Sequence, residues 1–197
     1  MEETIVFIDE TFLEKLSKHL GGGKYIKYDK VLFAENLAKV QGLSCKNIFY
    51  YTSPPFQSPN PSEIEEKKKD GYDRFVNKLR ARGVIVREGR CQRLKIDGEF
   101  TFKQKAVDVL LAMDLTNVPL EYLNVKKIIL ISSDSDFVPV IQNLERKGIK
   151  TILYTYYEKK RDTPFSRSNH LIKSVYKYVL LKKENFDRAE LVKEKIK

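Results

Sequence analysis

Tryptophan is absent from this chain of 197 residues, and histidine, cysteine and methionine occur only twice each. Each scarcity removes a class of function. Cys45 and Cys91 have neither metal-ligand spacing nor the numbers for a disulfide framework, so a reducing cytoplasm is the expected home. His19 and His170 are too few and too scattered to build a zinc site. No apolar run approaches the roughly 20 residues of a spanning helix, so no membrane partner is expected. The chain passes from Met1-Glu2-Glu3 straight into a β-type run, and no signal peptide is expected.

What remains is a soluble globular composition, 42% hydrophobic and 32% charged. Its length suits one domain, placed at residues 1–183, with a charged terminal helix at 184–197. The net charge of +10 points to a polyanionic partner, nucleic acid being the commonest. The alternative is a lysine-rich solvated surface. The excess of cations concentrates between Arg146 and Lys183, where Lys159, Lys160, Arg161 and Arg167 stand among Tyr154, Tyr156, Tyr157 and Phe165. Rings among cations suit single-stranded nucleic acid, because bases stack while phosphates pair; the same rings also suit a core.

Thr4-Ile5-Val6-Phe7-Ile8 reads as a buried strand ending on Asp9, and Phe12, Leu13, Leu16 and Leu20 continue at helical spacing. A helix from Asp29 to Val40, a strand at 47–51, a Pro- and Ser-rich loop at 53–62 and a long charged helix from Ser62 to Arg82 follow. A third strand, Val84-Ile85-Val86, precedes a hairpin turning at Asp97-Gly98. Residues 103–115 read as a helix apolar nearly all round and therefore buried. Asp108 inside it needs a partner, which Lys105 on the same face is placed to supply. A structural ion pair is thus one reading of Asp108. The run 126–131 is a strand that breaks into Ser132-Ser133-Asp134-Ser135-Asp136, followed by a helix, a strand at 150–154, a short helix at 165–173 and an edge strand at 174–181. This alternation predicts a three-layer α/β sandwich around a mostly parallel sheet.

Two strands therefore end in carboxylates, at Asp9 and at Asp134/Asp136. In parallel sheets the crevice at the strands' carboxyl ends is where ligands bind. With Asp108 entering from the side, such a cluster cannot stay ionised without a counter-charge. All-oxygen donors favour Mg²⁺ or Mn²⁺, which would set up phosphodiester hydrolysis. Helix capping explains one aspartate of the Asp134/Asp136 pair, but not the second, nor Asp9. Asp114 lies about 120° round the helix from Asp108 and is a weaker candidate.

Phe7-Ile8-Asp9, Lys105-Ala106-Val107-Asp108-Val109 with Ala112-Met113-Asp114-Leu115, and Ser132-Ser133-Asp134-Ser135-Asp136-Phe137 resemble the NYN domain, grouped with PIN-like ribonucleases and including a LabA-like branch. The resemblance runs from about Ile5 to Val179. It implies strand order 3-2-1-4-5 and Mg²⁺- or Mn²⁺-dependent RNA cleavage. It also implies Asp9, Asp108, Asp134 and Asp136 as metal ligands and catalytic residues. The chain departs from the family's Asp-Gly-x-Asn at Asp9-Glu10-Thr11-Phe12, and carries Ser133 where the family has glycine.

The function expected is a metal-dependent endoribonuclease on single-stranded or structured RNA. Arg90, Lys103, Lys105, Lys159, Lys160, Arg161 and Arg167 are its candidate phosphate contacts. A weak or inactive RNA-binding adaptor is the alternative, and homodimer formation is left open. A phosphatase using Asp9 as nucleophile would want a second aspartate where Thr11 stands.

Overall fold

The structure, a computed structural model, describes residues 1–159 and 163–191. Along the chain run β1 (Glu2–Asp9), α1 (Glu10–Leu20), α2 (Lys30–Val40), β2 (Leu43–Thr52), α3 (Glu63–Ala81), β3 (Ile85–Glu88), β4 (Arg90–Ile96), β5 (Glu99–Lys105), α4 (Val107–Glu121), β6 (Lys127–Ile131), a 3-10 turn (Ser135–Phe137), α5 (Val138–Arg146), β7 (Lys150–Thr155), α6 (Asn169–Ser174), β8 (Lys177–Leu180) and α7 (Lys183–Asp187). Six strands form one sheet in the order β3-β2-β1-β6-β7-β8, every neighbouring pair parallel. The expected 3-2-1-4-5 arrangement is kept. The strand numbers change because the separate β4–β5 hairpin consumes two of them and β8 adds a sixth strand at the edge.

Helices cover both faces, which is why the central strands are continuously apolar. Ile5 and Phe7 pack toward α4 and α5, whereas Val6 and Ile8 pack toward α1 and α2. All four are fully buried, as are Ile128 to Ile131 of β6. Each such side chain contributes roughly 1.5–3 kcal/mol on burial. β1 stops because Asp9 turns its carboxylate to the first turn of α1, accepting the Phe12 amide proton at 3.2 Å. The other signals read locally also hold. Asp29 caps α2, and Ser62 and Glu65 form a reciprocal capping box on α3. At the C-terminal end, Phe186 of α7 is buried against Tyr28 and Phe33. Residues 192–197 of the expected terminal helix lie outside the described residues. Among the described residues no helix is long and apolar enough to cross a membrane.

One expectation is corrected. Residues 103–106 are not helical: Lys103, Gln104 and Lys105 pair across the hairpin with Gln92, Cys91 and Arg90. α4 begins only after Ala106, whose left-handed φ of 68° redirects the chain. Strand pairing outweighs a helical propensity that is only a weak prior. Nor is α4 buried all round, for Val109 and Met113 are 61% and 57% exposed. Asp108 is likewise exposed, so it has no buried charge to neutralise. Among the described residues no ion pair joins it to Lys105.

The hairpin turns at Asp97-Gly98, both with positive φ, as the sequence predicts. Its base is drawn tight at Gly89, where a Cβ would lie 2.4 Å from the Lys105 carbonyl oxygen and 2.7 Å from Val107 Cγ2. Only glycine admits that approach.

Candidate functional site

Parallel register sets the site. Ile8 lies opposite Ile131, so Asp9 and Ser132 emerge side by side at the carboxyl edge of the sheet. Ser132 is fully buried and joins the two acidic segments. Its Oγ donates to Asp9 Oδ2 at 2.9 Å and accepts the Asp134 amide proton at 3.1 Å. Asp134 in turn caps the 3-10 turn, its Oδ1 accepting from the Asp136 amide at 2.9 Å. Asp108, on the first turn of α4, reaches the same place from the flank. Asp9, Asp108 and Asp134 line one cleft of about 580 Å³, with Lys15, Phe102 and Lys103 on its walls. Asp136 is exposed beside it.

Burial pushes Asp9 up to a pKa of about 6, and the charges of Asp108 and Asp134 reinforce the rise. The amide of Phe12 and the hydroxyl of Ser132 oppose it by bonding the ionised form. Asp108 is raised as well, first by partial loss of hydration at the cleft wall and then by Asp134 and Asp136. Among the described residues none has Asp9, Asp108, Asp134 or Asp136 in an ion pair.

The donor chemistry fits Mg²⁺ or Mn²⁺. Among the described residues no three His, Cys, Asp or Glu side chains stand close enough to hold one ion. Mg²⁺ does not ask for that, since it ordinarily takes one or two carboxylates and keeps several waters. Asp9, joined through Ser132 to the Asp134 amide, and Asp134 and Asp108 on the same cleft are the residues that could hold it.

The sequence places Ser132 in the polar break after the strand and assigns it no role of its own. Replacing it with alanine removes a donor to the charged form of Asp9. The titration of Asp9, followed by carboxyl-carbon NMR, is expected to move above about 6 in Ser132→Ala. An unchanged titration would show that the bond at 2.9 Å does not govern the charge.

Asp114 is engaged elsewhere. It takes Arg87 bidentately at 2.9 and 3.0 Å and accepts from the Tyr51 hydroxyl at 2.8 Å. Phe12, at the family's asparagine position, is a core residue only 4% exposed. Ser133 does not have positive φ, so the turn makes no demand for glycine there.

Among the expected phosphate contacts, Lys103 lines the cleft, and Lys105 and Arg90 face each other at the base of the hairpin. Lys159 and Arg167 are exposed. Lys160 and Arg161 lie outside the described residues. Lys15 was not anticipated; it lies on the solvent face of α1, six residues after Asp9, and only the helix it sits on turns it into the cleft. Within the aromatic-rich segment, Tyr154 and Phe165 pack inward. Tyr154 is 1% exposed with its hydroxyl on the Leu37 carbonyl, and Phe165 is buried with Tyr156 and His19 around it.

The fold and the cleft define a class: a parallel α/β domain with an acidic site at its sheet's carboxyl edge. The NYN domain family matches residues 3–178, nearly the whole chain, and the chain belongs to that family, a PIN-like nuclease-type domain. A crystal structure of a protein of unknown function from Vibrio parahaemolyticus shares the fold at a TM-score of 0.60, with 17% identity over 94% of this chain and 95% of that one. A hypothetical protein from Neisseria gonorrhoeae with bound ppGpp overlays at a TM-score of 0.25 and 8% identity, covering 92% of this chain and 86% of that one, which carries no argument. No curated protein matches the chain.

Proposed function

We propose that this protein is a Mg²⁺- or Mn²⁺-dependent endoribonuclease. The observation that carries the reading is the buried Asp9, raised to about 6 beside two further carboxylates and, among the described residues, without an ion-pair partner. A bound ion acidifies a water and stabilises the charge that grows on a phosphodiester. The chain's own residues supply the rest. Asp9 and Asp134 would present oxygens to the ion, and Ser132 ties the Asp9 carboxylate to the Asp134 backbone. Asp108 and Asp136 complete the negative rim. Lys15 and Lys103, both lining the cleft, meet the phosphates flanking the scissile bond.

The absence of three carboxylates within reach of one ion, among the described residues, favours a second reading, an RNA-binding adaptor on the same fold. A labelled single-stranded RNA incubated with Mn²⁺, with EDTA and with the Asp134→Asn variant separates the two. Loss of an outer-shell partner costs ~10–100-fold in metal affinity or activity, so loss of a ligand should exceed that. Cleavage abolished in both controls is the result expected. Tight binding by the wild type without cleavage in Mn²⁺ or Mg²⁺ would establish the adaptor instead.

A further inference from the structure

The β4–β5 hairpin stands outside the main sheet as a two-stranded ribbon, an arrangement marginal by itself in water. Yet it displays Phe100 and Phe102, each 58% exposed. Residues directly opposite in an antiparallel ladder share a face. Arg93 opposes Phe102 and Lys95 opposes Phe100, so one face alternates rings and cations. Phe56, from the loop after β2, extends that face with its ring 5.6 Å from Phe102. The Arg93 guanidinium lies 4.8 Å from the Phe56 ring and 4.6 Å from the Phe100 ring. The face also points at the acidic cleft. Phe102 lines it with Asp9, and the next residue on the same face, Gln104, accepts a hydrogen bond from Thr11 of α1 at 2.8 Å.

We infer that this face is the platform on which a single-stranded RNA substrate stacks its bases, with Phe102 nearest the scissile bond. The inference rests on the endoribonuclease reading and deepens it. Exposed rings spaced along a cationic ribbon meet unpaired bases face to face while Arg93 and Lys95 meet the backbone. The charge of the ribbon selects the occupant: it carries five basic residues, Arg90, Arg93, Lys95, Lys103 and Lys105, against the two acids Asp97 and Glu99. A duplex, whose bases are already stacked on one another, offers these rings nothing.

Binding is measured without turnover, using the Asp134→Asn variant in EDTA and three probes: a 12-nucleotide oligouridylate, the same ribose-phosphate chain with abasic positions, and a blunt RNA duplex. The oligouridylate is expected to bind best. Phe102→Ala in that background should weaken it ~10-fold with the salt slope unchanged, whereas Lys103→Ala should lower the slope by about 0.7. Phe102→Trp should restore the affinity. The abasic chain should respond to Lys103→Ala alone. Because Phe102 is exposed, loss of fold is not expected, and a melting temperature close to that of the parent variant checks it. Equal affinity of the Phe102→Ala protein and its parent for oligouridylate would overturn the stacking surface, and the nuclease reading would survive if the wild type still cuts RNA. A wild type that neither binds nor cuts RNA overturns both. Loss of self-association in Phe102→Ala with RNA affinity intact would assign the face to a second copy instead.

Discussion

Asp9→Asn is expected to make the protein more stable and catalytically inert at once. The fold raises this carboxyl from 3.8 to about 6. Between those values the native state keeps a proton that the unfolded chain has released, so Asp9 favours folding in acid and opposes it as the pH rises through 6. At pH 7 the penalty is about 3 kcal/mol, because each tenfold gain in proton affinity on folding corresponds to about 1.4 kcal/mol. Asparagine carries no charge to desolvate; its carbonyl oxygen keeps the cap on the Phe12 amide, and its NH2, in place of Oδ2, donates to the Ser132 hydroxyl oxygen instead of accepting from it. The gain should be near its full value at pH 7 and fall to about half by pH 5. Urea unfolding at both pH values measures it. Mn²⁺ should raise the melting temperature of the wild type and leave that of Asp9→Asn nearly unmoved. A variant less stable than wild type at pH 7 would falsify the premise that Asp9 is a strained ligand rather than a structural cap.

Phe7→Ala carries the largest expected loss. Phe7 sits fully buried in the central strand, its ring 5.1 Å from Phe49 and 6.5 Å from Tyr51. The stack joins β1 to β2 on the α4 side, directly beneath the end of the strand that carries Asp9. Truncating a buried phenylalanine costs ~3–5 kcal/mol, a large part of the ~5–15 kcal/mol that holds a domain together. A fall in urea midpoint at unchanged slope is the predicted result. Phe102→Ala, which removes an equal ring from the hairpin, should leave stability within ~0.5 kcal/mol of the wild type because that ring is mostly exposed. The pair separates rings that build the fold from rings that serve a ligand.

What the sequence disclosed was whatever depends on neighbours in the chain. Ile5 to Ile8 and Ile128 to Ile131 announce strands buried on both faces, and their shared endings in acid announce the cleft. Asp29, Ser62 and Asp97-Gly98 mark caps and a turn whose chemistry is complete within four residues. Contacts made across the fold were not legible. Lys103 and Lys105 became strand residues because Gln92 and Arg90 pair with them. Asp114 is engaged away from the cleft because Arg87 and Tyr51 arrive from the sheet to hold it. Ser132 gained its role only when parallel register set it beside Asp9. Tyr154 and Phe165 are buried where composition offered them as stacking rings, because composition does not say which side of the chain faces water.

The left-handed Ala106 has a mechanical corollary. Only it and Val107 separate the last paired residue of the ribbon from Asp108. Gly89 clamps that junction from beneath, leaving little slack. Any ligand held on the ribbon would therefore act on one of the cleft's carboxylates through a linkage of two residues, so that a load on the hairpin and the position of Asp108 are mechanically geared together.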